Sequence, residues 1–243
     1  KGTEEDKGQW AMIFNESVKN DSNPVDKTEK FMFDGERLIQ HIIKQRYFEE
    51  EISNEVNLSY SDNQVTVTTD YPTLVYTLNS EGYASQCVYS LSSQNRIYQF
   101  SYSAEGYLTG IVENIDNTEY SSTSLTYENG DITSISSKMN GLENKFIYEP
   151  GEESSTYHLP CLGLLEIHPL TFHIEALYAG LLGKDPRHFT IRSCPAGSND
   201  EKTVYSYGFD KKGNPSRMIC QTTYAGGQAS YYPYTRNISV SFE

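Results

Sequence analysis

The chain has 243 residues, 33 acidic and 19 basic side chains, a formal charge of −14, and only 37% hydrophobic content. That length can bury a core without metal or disulfide staples. No apolar run reaches the roughly 18 residues of a membrane-spanning helix, and the negative charge opposes general binding to nucleic-acid phosphates. With 20 Tyr, 10 Phe, 27 Ser and 19 Thr, the composition favours strands.

In chain order, the polar start (Lys1 to Gly8) points to a flexible N-terminal linker over residues 1–20. Residues 21–243 then read as a single β-meander domain. Phe31-Met32-Phe33-Asp34-Gly35 opens a first hairpin, and Tyr60-Ser61-Asp62-Asn63-Gln64-Val65 looks like a degenerate copy of a unit that follows three times. Gly82, Gly106 and Gly130 are spaced 24 residues apart, with a fourth copy at Gly213. The residue five after each of these glycines is apolar: Cys87, Ile111, Ile135 and Met218. Apolar residues spaced by two before the glycine have strand periodicity. A glycine among polar residues supplies the left-handed backbone of a tight loop. Each unit is therefore a hairpin, and successive hairpins pair into a meander. The fold class is mostly β: an antiparallel meander of repeated hairpins that curls into a barrel or half-barrel. Residues 118–138 carry Ser, Thr, Glu and Asn on both alternating faces, which favours a water-soluble sheet over a membrane barrel. The excess negative charge is concentrated at residues 52–156, where the acids are spaced singly, as on a solvated sheet face.

One segment breaks the pattern. Over residues 159–183 the chain becomes Leu-rich, and it predicts one buried apolar helix near residues 169–182. Pro169 suits a first helical position and Gly183 a C-terminal cap. Leu170, Ile174, Leu177 and Leu181 form one stripe, which belongs in the concave face or mouth of the curled sheet. Strands resume near residues 188–193, 203–209, 217–224 and 237–242.

Functional groups are sparse. His158, His168, His173 and His188 cluster around this segment with Glu166 and Glu175. His168 and His173 are weak metal candidates, because five residues apart they miss the i, i+4 spacing of ligands on one helix face. They read better as cap and loop contacts beside a buried helix, and no metal or other cofactor is expected. No GxSxG elbow, P-loop or dinucleotide fingerprint is present, so no catalytic residue is assigned. Cys87, Cys161, Cys194 and Cys220 lack zinc spacing; disulfides and free thiols both remain open. Tyr224, Tyr231, Tyr232 and Tyr234, beside Arg236, form the candidate binding patch, since exposed tyrosines stack on sugar rings or bind partners.

The segment Tyr205-Ser206-Tyr207-Gly208-Phe209-Asp210-Lys211-Lys212-Gly213-Asn214-Pro215-Ser216-Arg217-Met218 resembles the tyrosine–aspartate repeat of bacterial secreted proteins. Together with the Leu/His-rich segment and the Tyr-rich end, the chain over residues 30–243 is similar to a family of secreted lipoproteins from gut Bacteroidetes. That family is a domain of unknown function with a porin-like, curled-sheet fold. The resemblance implies export, a lipid anchor on a cysteine outside this chain, and residence in the periplasm or at the cell surface, tethered to the outer membrane. It implies no catalytic residues. The expected function is a non-enzymatic envelope module that binds a glycan, peptide or lipid. The alternatives are a structural or assembly protein of the envelope and a hydrolase with paired carboxylates.

Overall fold

The computed structural model describes residues 8–19, 25–47, 49–70, 72–91, 93–154, 159–160, 164–165, 167–198, 201–223 and 234–243. Its strands are β1 (Gln9–Lys19), β2 (Val25–Asp34), β3 (Arg37–Tyr47), β4 (Glu50–Ser61), β5 (Gln64–Thr68), β6 (Thr73–Leu78), β7 (Ala84–Leu91), β8 (Gln94–Tyr102), β9 (Leu108–Ile115), β10 (Thr118–Glu128), β11 (Asp131–Met139), β12 (Leu142–Pro150), β13 (Thr190–Pro195), β14 (Lys202–Phe209), β15 (Pro215–Thr223) and β16 (Tyr234–Phe242). Each pairs antiparallel with its sequence neighbours, and β16 pairs with β1, so the meander closes completely into a barrel.

Residues 9–19 correct the expected linker. They are strand β1, bonded to β2 on one side and to β16 on the other. Met12 and Phe14 point inward and are buried, and Trp10 stacks on Phe33 at 4.2 Å and donates its indole N–H to the Gly35 carbonyl at 2.8 Å. The partner that orders this segment is at the far end of the chain, which a local reading does not see.

The repeat glycines lie at turns on one end of the barrel. Gly82, Gly106, Gly130 and Gly213 all have positive φ. The loops Asn79–Tyr83, Ser103–Tyr107 and Asp210–Asn214 share one geometry: the first N–H donates to the fifth carbonyl, and the glycine N–H donates back to the first carbonyl. In each, the first side chain also accepts from the fifth backbone N–H. Gly130 instead follows Asn129, also at positive φ, in a two-residue hairpin turn. The apolar position five after each glycine faces the interior: Cys87, Ile111, Ile135 and Met218 are all buried.

The long connection from β12 to β13 leaves at this same end and folds into the lumen as a plug. Its regular structure is shorter than the expected helix: a 3-10 turn at Leu170–Phe172 and one α-helix, α1 (Ile174–Tyr178). Gly180, at positive φ, ends α1, with Leu181 N–H donating to the Ala176 carbonyl and Gly180 N–H to Leu177. Gly183 lies beyond that cap. Leu170, Ala176, Leu177, Tyr178, Leu181 and Leu182 are buried, so the apolar stripe does face the core although the helix is brief.

The plug returns to the wall along the repeat turns. Leu181 accepts from Ala84 N–H, Lys184 N–H donates to the Gly106 carbonyl, and Arg187 N–H donates to the Gly130 carbonyl. Adjacent hairpins lie two strand spacings apart, about 10 Å, which three extended residues also span. The 24-residue spacing in the wall thus meets a three-residue spacing in the plug.

The outward rows are largely polar. Gln40, Asn57, Thr68, Thr73, Ser90 and Asn95 are register neighbours, as are Lys44, Thr28, Asn15, Ser239 and Arg217. A lipid-facing barrel needs a continuous apolar band on this face. These rows interrupt such a band over β15, β16 and β1–β8.

Gly183, with φ +87°, would place a Cβ 2.6 Å from the Gly106 carbonyl oxygen, whereas Gly82, with φ +82°, has open space around it. Gly82→Ala should cost about 1 kcal/mol of backbone strain. Gly183→Ala should cost about 2–3 kcal/mol, because the contact that seats the plug must also shift. Urea denaturation of the two variants measures the difference.

Candidate functional site

The barrel interior is divided. The plug fills the end that carries the repeat turns, and among the described residues the opposite end stays open. At the open end both faces of the strands are wet: Glu50–Glu55 of β4 and Leu142–Lys145 of β12 are exposed at every position. Between this mouth and the plug lies a cavity of about 380 Å³ against β11–β15. Ile167 and His168 of the plug form its floor, with Ser137, Phe146, Tyr148, Ser193, Thr203, Tyr205 and Thr222 among its walls.

His168 is held from behind by Glu113 of β9. The carboxylate is buried and takes four donors: His168 Nε2 at 2.6 Å, Ser121 Oγ at 2.7 Å, Tyr98 OH at 3.2 Å and an Arg96 guanidinium nitrogen at 3.3 Å. Burial works against ionisation, but the hydrogen bonds from His168 and Ser121 outweigh it and hold the Glu113 carboxyl below its ordinary range. The His168 ring is crossed edge-to-face by Tyr120 and Phe172. Thr123 and Ser137 hydroxyls donate to the His168 carbonyl at 3.3 and 3.4 Å.

The other described plug histidines also bind the wall. His173 caps the start of α1 and is buried, with Nδ1 2.6 Å from the Tyr76 hydroxyl and its ring edge-to-face with Tyr98 and Phe100. Burial pushes its pKa down to about 3, so the ring is neutral. His188 Nδ1 lies 2.8 Å from Asp131 Oδ2, and its backbone N–H donates to Oδ1 at 2.8 Å. A converse contact runs from plug to wall: Glu175 of α1 lies 2.7 Å from Nδ1 of the buried His41 on β3. Glu29 lies 3.7 Å from its Nε2 and carries Lys27 at 2.7 Å. Burial alone would lower the His41 pKa, but the hydrogen bond to Glu175 and the nearby Glu29 carboxylate raise it. Glu29, whose burial is outweighed by His41 and Lys27, falls to about 2.

The structure therefore does not bring His168 and His173 together as ligands; they anchor separate points of the plug. Among the described residues no group of three or more His, Cys, Asp or Glu side chains is arranged to hold a metal. His158 and Glu166 lie outside the described residues. Of the tyrosine patch, Tyr224, Tyr231 and Tyr232 lie outside the described residues, as does the Tyr234 side chain. Arg236 is inside the barrel, with Nε 2.6 Å from Glu16 Oε1 and a second bond at 3.2 Å to Oε2. Cys87, Cys194 and Cys220 are free thiols, and Cys161 lies outside the described residues. Burial pushes the Cys87 thiol up to about 12, so it is unreactive. Sequence reasoning missed Glu113 and His41. Glu113 had a signal: it lies two residues after the inward Ile111, so strand alternation points it into the barrel.

A family model described as a domain of unknown function (DUF4595) with porin-like fold matches residues 31–217. Among solved structures, a porin-like protein from Bacteroides uniformis is 26% identical, with a TM-score of 0.86 over 96% of this chain and 97% of that one. A porin-like protein from Bacteroides vulgatus is 10% identical, with a TM-score of 0.59 over 93% of this chain and 96% of that one, a likeness of fold alone. No curated protein matches the chain.

Two outcomes follow from the buried groups. The neutral form of His173 stabilises the fold fully above about pH 6.5, and this contribution is lost as pH falls toward 3. Glu29 adds to the loss between about 4.5 and 2. The melting temperature should fall steadily on acidification below pH 6.5, and His173→Gln should flatten that slope while lowering stability at pH 7. Glu113→Leu removes the acceptor of four donors and should cost about 3 kcal/mol or more, read by chemical denaturation.

Proposed function

We propose that this chain, which belongs to the family of domains of unknown function with porin-like fold (DUF4595), is a non-enzymatic binding module of the cell envelope that holds a small polar ligand in the open half of its lumen. The carrying observation is the half-filled barrel. A plug anchored at His168, His173, His188 and Glu175 shuts one end, and a cavity of about 380 Å³ opens toward the other. That volume is within the range of small-molecule sites, and a mixture of apolar walls and placed polar groups is their usual chemistry. A lumen closed at one end favours binding over conduction.

An envelope setting is supported by the porin-like relatives from Bacteroides. The polar outer wall suits an aqueous compartment, so membrane contact would come through a lipid anchor outside this chain rather than through the barrel. The charge of −14 argues against nucleic acid as a partner.

Fractionation of the producing cells should recover the protein with the envelope; recovery in the cytosol overturns the placement. In solution, ¹H–¹⁵N spectra recorded against a mixed library of polar metabolites should show shifts confined to Ser137, Ser193, Thr203 and their cavity neighbours. A library that leaves these residues unmoved overturns the binding role.

A further inference from the structure

We infer that His41 is a proton-operated latch on the plug: protonated between Glu29 of the wall and Glu175 of α1, it fastens the helix, and loss of its proton frees α1 while the barrel stays closed. The device operates whether or not the lumen holds a ligand. His41 is fully buried on β3, and each of its ring nitrogens faces a carboxylate. Nδ1 lies 2.7 Å from Glu175 Oε1, and Nε2 lies 3.7 Å from Glu29 Oε1. A neutral imidazole has one N–H and one lone pair. Whichever nitrogen keeps the proton, the other turns a lone pair toward an oxygen that only accepts. Nε2 has no hydrogen-bond partner among the described residues, so no donor there satisfies that lone pair. Only the doubly protonated ring suits both neighbours. Phe31 stacks on it at 4.0 Å, and an aromatic face favours a cation over a neutral ring.

Loss of the proton falls on the plug rather than on the wall. Glu29 keeps Lys27 at 2.7 Å. Glu175, whose side chain is mostly buried, has no second cation within ion-pair distance among the described residues. Tyr178, three residues on and so on the same side of the helix, stacks on Phe31 at 3.9 Å. The helix therefore grips the wall directly through Glu175 and indirectly through Tyr178, and both contacts converge on His41.

The direction of the response follows from these neighbours. Burial by itself lowers the His41 pKa, but Glu175 and Glu29 outweigh it and hold it above the ordinary 6.5. Its stabilisation is complete below about pH 6.5 and is lost as pH rises through the raised value. Other groups around the ring keep their state over this interval. Burial pushes the Tyr178 phenol, which also feels Glu29, Arg236, Glu16 and Asp185, well above 10, and it does the same to Tyr76. The Cys87 thiol is pushed up to about 12, and His173 is already neutral. Glu16 and Arg236 bond to each other at 2.6 Å, and Val56, the β4 neighbour of His41, carries no charge.

Hydrogen exchange, corrected for the intrinsic effect of pH on exchange, tests the latch. The N–H groups of Leu177, Ala179 and Leu181 bond to the carbonyls of His173, Glu175 and Ala176. Their protection should fall about tenfold between about pH 6 and pH 9, the difference between a charge-assisted and a neutral hydrogen bond. Amides of β1 and β16 should keep theirs, and the His41 ring proton signal should titrate above 6.5 with the same midpoint. His41→Gln retains an N–H donor without the charge, so its α1 protection should be low at both pH values. Glu175→Gln should also abolish the pH dependence and should lower the His41 midpoint; it decides alone if His41→Gln fails to fold. Protection in α1 that does not change with pH, or that falls together with β1 and β16, overturns the latch. A pH dependence that survives both substitutions also overturns it and assigns the effect to His168 or His188, which join the plug to the wall elsewhere.

Discussion

The width of a sixteen-stranded barrel is the constraint from which the other features follow. About eight strands enclose a space that inward side chains can fill, whereas about sixteen leave an open lumen. Closure satisfies the strand edges through the pairing of β1 with β16, but it also creates an interior that alternating residues cannot occupy. The connection between β12 and β13 supplies the missing material. It buries Leu170, Ala176, Leu177, Tyr178, Leu181 and Leu182 against Phe14, Phe31 and the other inward residues of the wall. Tyr178 stacks on Phe31 at 3.9 Å, and Phe31 stacks in turn on His41 at 4.0 Å. The filling stops partway along the barrel, and the unfilled remainder is the cavity.

Apolar burial is non-directional and does not by itself fix where such a plug sits. The polar contacts do. Glu113–His168, Tyr76–His173, His41–Glu175 and Asp131–His188 each join a wall side chain to a plug side chain, from β9, β6, β3 and β11 respectively. Together with the backbone bonds at Ala84, Gly106 and Gly130, they hold the plug at several points around the wall. Each buried polar atom that finds its partner in one register loses it in another, which makes position costly to change. The two buried histidines respond to pH in opposite directions. His41 gains from being protonated between carboxylates, and His173 gains from remaining neutral against Tyr98 and Phe100.

The same geometry sets the inner and outer faces of the barrel apart. Inside, the lumen is apolar around the plug and hydroxyl-rich above it. Outside, rows such as Lys44, Thr28, Asn15 and Ser239 carry charge and amide groups. A membrane barrel inverts this arrangement, with its continuous apolar band on the outer face. The excess of acids at residues 52–156 is largely on exposed wall and turns; the exceptions are Glu113, buried behind His168, and Asp131, buried against His188.

Local information in the chain determined the hairpins. A glycine every 24 residues and an apolar residue five positions later specify a turn and an inward strand position, because turn geometry and side-chain alternation depend only on near neighbours. The Leu-rich break in that pattern likewise marked the segment that fills the interior. The tertiary structure decided what depends on distant partners. Gln9–Lys19 became a strand only because β16 returns beside it. The expected long helix became a short one because residues 181–187 are used to bond the rim turns rather than to extend α1. The described histidines of that segment, His168, His173 and His188, were distributed to β9, β6 and β11 by the curvature of a closed sheet. Arg236, which sequence placed in a surface patch with tyrosines, turned inward to Glu16 by the parity of its strand. The cavity itself has no local signature. It is the space left when a plug of one length meets a lumen of another, and neither dimension is set by any single stretch of sequence.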